Sequence, residues 1–158
     1  MFLKKIKFIL ITFLLYQTPL YSKSDSFSDF NSKNLSKYFS GIVAFENKNN
    51  SEALDFFNTS KILVNKHDPY LKRYVYSLVL ENKIIQAINM IKNNKNKTNS
   101  DFFDAHLLLV LDSLIKNDFE KAASYLENTA NSAKLDRFNL AVFESLKHYI
   151  FVFKEKKI

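Results

Sequence analysis

Three alanines, Ala53, Ala87 and Ala122, stand 34 and 35 residues apart, and each closes a similar phrase. The phrases are Lys48-Asn49-Asn50-Ser51-Glu52-Ala53, Asn82-Lys83-Ile84-Ile85-Gln86-Ala87 and Asn117-Asp118-Phe119-Glu120-Lys121-Ala122. In each, a polar turn leads into the start of a helix. Self-similarity at this period marks stacked units that cannot bury their apolar faces alone. A small residue returning at the same step implies that a neighbouring helix crosses close to the backbone there. The expected fold is all-α, with helix pairs stacked along the chain.

Apolar spacing fills in the helices. Leu35, Tyr38, Phe39, Ile42, Val43 and Phe45 recur at three and four residues and predict a first amphipathic helix. A second is expected from Ser51, an N-cap residue with Glu52 behind it, to about Val64. Asp68-Pro69 signals the next start, because Pro loses no hydrogen bond in the first turn. That helix is expected to end near Asn82, and its partner to run from Lys83 to about Lys92. The stretch Lys92 to Ser100 has no apolar residue and reads as a loop. Ser100-Asp101 is expected to cap the third leading helix, and Asp118 to begin its partner. A last helix, from about Leu135 to Phe153, carries apolar residues on more than one face, so it is expected to need company on two sides. With 47% hydrophobic residues, 16 of them Phe, the chain can bury a substantial core.

Composition excludes several functions. A single glycine, Gly41, leaves no phosphate-cradling loop, dinucleotide fingerprint or glycine-flanked nucleophile. There is no cysteine for a disulfide or thiolate metal site. His67, His106 and His148 are too far apart in sequence to share a metal at helical spacing. Asp101 and Asp104 fall in the first turn of a helix, where the dipole favours acids by about 0.3 to 1 kcal/mol, so a proton-transfer group with His106 is the less economical reading. No catalytic residue, metal or cofactor is expected. The net charge is +7, but Lys4, Lys5 and Lys7 supply three of those charges in an acid-free N-terminus. The remaining basic residues are scattered, and Arg occurs only at 73 and 137, so a nucleic-acid surface is not expected.

Those lysines precede the apolar run Phe8 to Tyr16, which is interrupted by Gln17, Thr18 and Pro19. The layout is that of a cleaved export signal over residues 1–22, too short an apolar run to span a bilayer easily. The product is expected to be periplasmic in a bacterium and secreted otherwise, or membrane-anchored if the signal stays. Residues 23–33, rich in Ser and Asp, read as a linker.

The chain resembles the tetratricopeptide repeat family, whose unit is a pair of helices of about 34 residues. Ala53, Ala87 and Ala122 fall on its small position in the second helix, Gly41 on its small position in the first, and Phe57, Ile91 and Leu126 on its large apolar position. Lys37, His106, Val75, Val110, Asn65, Asn99 and Lys134 depart from its pattern. The units are 34–67, 68–102 and 103–134, with 135–158 as the possible first half of a fourth. The resemblance implies a right-handed α-solenoid of antiparallel helix pairs, whose leading helices line a groove for a peptide or helix of a partner protein. Its groove positions here are Tyr38 and Ile42, Lys72 and Tyr76, and Leu107 and Leu111. Lys72 and Tyr76, one turn apart, would hold a carboxylate and an apolar group together. A second expectation concerns the last helix, whose apolar edge of Tyr149, Phe151 and Phe153 is left for self-association or another subunit.

Overall fold

The computed structural model describes residues 31–94, 100–132 and 135–155, and the regular elements among them are all helical. The candidate export signal lies outside the described residues, as does most of the expected linker. In chain order the helices are α1 (Ser32–Glu46), α2 (Asn50–Thr59), a short 3-10 helix (Lys61–Asn65), α3 (Asp68–Leu80), α4 (Ile84–Asn93), α5 (Phe103–Ile115), α6 (Phe119–Ser132) and α7 (Arg137–Glu155). Each α-helix packs on the one that follows it, most extensively α1 on α2 and α5 on α6. Among the described residues, no helix is long and apolar enough to cross a membrane.

The period is built into the backbone. Lys48, Asn82 and Asn117 are the non-glycine residues of positive φ among those described, at 61°, 55° and 56°. Each donates its N–H to the carbonyl three residues back, at Phe45, Val79 and Leu114. The next residue in each case donates to the carbonyl five back: Asn49 to Ala44 at 2.9 Å, Lys83 to Leu78 at 2.8 Å and Asp118 to Ser113 at 2.9 Å. This is the Schellman termination, which satisfies the last carbonyls of α1, α3 and α5. Glycine is the usual residue at its left-handed position; asparagine tolerates that conformation and lysine adopts it at a cost.

The side chains repeat with it. Ala53, Ala87 and Ala122 are fully buried, and Phe57, Ile91 and Leu126 are buried one turn later. Ser60, Asn94 and Thr129, again 34 and 35 apart, are buried polar residues. Each turns back on the carbonyl four residues earlier, at Phe56 (2.9 Å), Met90 (2.8 Å) and Tyr125 (3.0 Å). A polar group at this position therefore brings its own acceptor into the core. Where α1, α2 and α3 meet, that core is aromatic. Tyr38 stacks on Tyr70, with centroids 5.5 Å apart, and meets His67 edge-on at 4.9 Å. The Tyr70 hydroxyl donates to the Phe57 carbonyl, and burial pushes its pKa well above the ordinary tyrosine value.

Several boundaries differ from those read in the sequence. Instead of one helix to Val64, α2 stops at Thr59 and a 3-10 turn follows. The Ser60 N–H is shared between the Phe56 and Phe57 carbonyls, at 3.2 and 3.1 Å, and the Leu63 N–H then bonds to Ser60 three residues back, so the chain tightens from α to 3-10 bonding. Ser100-Asp101 does not cap α5, whose N-cap position is Phe102 without a side-chain bond. The Asp101 carboxylate is taken instead by His106 Nε2 at 2.8 Å. Helix α1 starts at Ser32, inside the expected linker, because the Asn31 side chain accepts the Asn34 N–H at 2.8 Å. Helix α2 starts at Asn50, one residue before the expected Ser51, and α4 runs one residue past Lys92.

Candidate functional site

The six groove positions read from the sequence have three different environments. Tyr38, on α1, is buried, and its hydroxyl accepts from Arg73 Nη1 at 2.9 Å, so its place is in the core. Ile42 is half-buried against that core. Tyr38 presents no open surface, and Ile42 keeps part of its own.

Lys72 and Tyr76, on α3, do hold a carboxylate and an apolar group, and both belong to this chain. The Tyr76 hydroxyl donates to Asp104 Oδ2 at 2.6 Å. Lys72 Nζ lies 4.0 Å from the same oxygen and over the rings of Tyr76 (5.5 Å) and Phe102 (5.7 Å). Phe102 meets the Tyr76 ring edge-on at 6.4 Å. Burial, then the neighbouring Asp104 carboxylate, raises the Tyr76 pKa above the ordinary tyrosine range, so at neutral pH it is a hydrogen-bond donor. The cluster ties α3 to the start of α5. Its members beyond α3, Phe102 and Asp104, are not legible in the sequence, because nothing local marks a contact such as that of Tyr76 with Asp104 across 28 residues.

Leu107 and Leu111, on α5, face a gap. With Ala141, Val142, Ser145 and Leu146 of α7 they line a groove of about 450 Å³. Leu107 is half-buried and Leu111 is 41% exposed. The small side chains of Ala141 and Ser145 make the room, and both lie 34 residues after the two leucines. That interval was the signal that could have found them. Leu80, Ile115 and Tyr149, spaced 35 and 34, extend an exposed apolar row along α3, α5 and α7.

The proposed C-terminal edge divides. The Tyr149 and Phe153 rings meet at a tilt of 31° with centroids 4.4 Å apart, and Phe153 stacks on Phe119 at 6.0 Å, with Lys154 Nζ 2.8 Å from Glu120 Oε2 beside them. These contacts fasten the end of α7 to α6. Phe151 points elsewhere, bordering a cavity of about 490 Å³ with Ala123, Leu126 and Glu127 of α6 and Lys147 of α7.

His106, imagined as a proton-transfer group, pairs with Asp101. Asp104 turns instead to Tyr76, and Asp112 lies between Lys116 (2.6 Å) and Lys92 (2.8 Å). Those two lysines hold the Asp112 carboxyl below the usual carboxylate range. The three acids thus have three separate partners and do not converge on one point. No group of three or more potential metal ligands occurs among the described residues. No family model matches the chain, and no curated protein does.

Proposed function

We propose that this protein is an exported, non-enzymatic interaction scaffold, a divergent tetratricopeptide-like solenoid whose leading helices α1, α3, α5 and α7 share one binding face. The observation that carries the reading is the apolar groove between α5 and α7, floored by Ala141 and Ser145 and walled by Leu107 and Leu111. Clefts with apolar walls and small floor residues accept the apolar face of a helix or extended peptide. The Lys72–Tyr76–Asp104 cluster then serves to hold the neighbouring units at a fixed angle, and the partner's contacts concentrate toward α7. The cellular address is the periplasm in a bacterium and the exterior otherwise.

Capture from the producing cell tests this. Leu111→Asp places a charge on the groove wall, and Ala141→Arg fills its floor. Each is expected to reduce recovery of the partner about tenfold or more, the loss typical of a binding hot spot. Unchanged recovery with both variants, each shown to be folded, would refute the groove.

A second reading is supported by α7 itself. Leu140 (48%) and Phe151 (58%) are exposed on a side where no following helix packs among the described residues. Under this reading the protein is an assembly subunit that associates through its last helix.

A further inference from the structure

Helix α7 continues the register of the leading helices. Buried Tyr74 and Leu109 are followed by buried Phe143 at intervals of 35 and 34. On that register Lys37, Gly41 and Ala44 in α1 correspond to Leu71, Val75 and Leu78 in α3 and to His106, Val110 and Ser113 in α5. Gly41 sits against Phe57 of α2, and Val75, Leu78, Val110 and Ser113 are buried. In α7 the equivalent positions are Leu140, Glu144 and Lys147, continued by Phe151, and all four are exposed. Neither Glu144 nor Lys147 has an ion-pair partner among the described residues.

The order along this stripe is apolar, acidic, basic, apolar, at spacings of four, three and four. It is its own complement when reversed. We propose that α7 pairs with α7 of a second copy of this chain, antiparallel about a twofold axis passing between Ser145 and Leu146. This rests on the assembly reading above and adds its partner, its face and its register. Glu144 of each copy then faces Lys147 of the other, and Leu140 of each faces Phe151 of the other. Every contact is made twice, as an isologous interface requires. The second copy covers on α7 the stripe whose middle positions, Gly41 and Ala44, Val75 and Leu78, and Val110 and Ser113, are buried in α1, α3 and α5. The charge order selects a second copy over another apolar helix, because the opposing helix must carry the same pair in reverse.

Sedimentation of the protein purified as the cell produces it, over a range of concentrations at low salt, tests the proposal. A reversible monomer–dimer equilibrium is expected. Glu144→Lys and Lys147→Glu should each weaken it about tenfold, since two pairs are lost and two like-charge contacts are made. The double variant E144K/K147E should return to within about threefold of the unsubstituted protein, because the pair is only exchanged. Phe151→Asp should abolish the dimer, with circular dichroism confirming that helicity is retained. Should that variant fail to fold, the exchange at the two exposed charges still decides the matter. A double variant as weak as the single ones overturns the register. A dimer indifferent to all four variants leaves the assembly reading standing on another surface and removes this one. A strict monomer removes both.

Discussion

Gly41, the one glycine in the chain, is required by shape. A Cβ there would lie 2.8 and 3.0 Å from the Cε1 and Cδ1 atoms of Phe57, and 3.2 Å from Phe56 Cβ. The Phe57 ring is fully buried between Tyr38 and Tyr70 and has nowhere to swing. Gly41→Ala therefore sets a helix-propensity gain of about 1 kcal/mol against overpacking of about 1 to 3 kcal/mol. A net loss of about 1 kcal/mol is expected in chemical denaturation. A gain would show that the ring can move. This position was legible in the sequence through its place in the repeat, whereas the buried polar register of Ser60, Asn94 and Thr129 was not. Those residues look like ordinary helix-end polar residues, and only the fold shows that they are buried with their own acceptors.

At the level of elements, the turns and the links between helices carry the predictions. Lys48, Asn82 and Asn117 share one left-handed backbone conformation, but lysine lacks the short polar side chain that eases it for asparagine. Lys48→Gly is expected to stabilise by about 1 kcal/mol, and Asn82→Gly by less, in the same denaturation assay. Equal effects would contradict the strain argument. Between α4 and α5, Asp112 holds Lys92 across the gap and Lys116 on its own helix. Its folded pKa is lowered, so its contribution is complete above the ordinary aspartate value of 3.8 and is lost as pH falls through the lower, folded value. The melting temperature should therefore fall more steeply between pH 4 and pH 2 for the unsubstituted chain than for Asp112→Asn, a window bounded by about the unfolded carboxylate value. Identical slopes would remove Asp112 from the account. The existence of each helix was legible from three- and four-residue spacing. The ends were less so: Asp101 and Ser100 look like a cap until His106 claims the aspartate, and α2 gives way at Ser60 to three-residue bonding that apolar periodicity does not register.

The whole molecule has one period expressed in turns, buried alanines and buried polar residues, and around α7 that period leaves apolar surface open. Of the groove, the Leu107–Leu111 wall was legible from the resemblance, while its α7 floor required counting one more interval to Ala141 and Ser145. Lys72 and Tyr76 were legible as a carboxylate-holding pair, but the carboxylate is Asp104 of the same chain, a pairing fixed by how α3 meets α5. The central claim is that the face shared by α5 and α7 is where a partner lies. Site-specific photo-crosslinking in the producing cell tests it most directly, with the reactive residue placed in turn at Leu111, at Ser145 and, as a control, at exposed Asn89 of α4. The account predicts one and the same adduct from positions 111 and 145 and none from position 89. No adduct from either groove position, or an equal one from position 89, would contradict it.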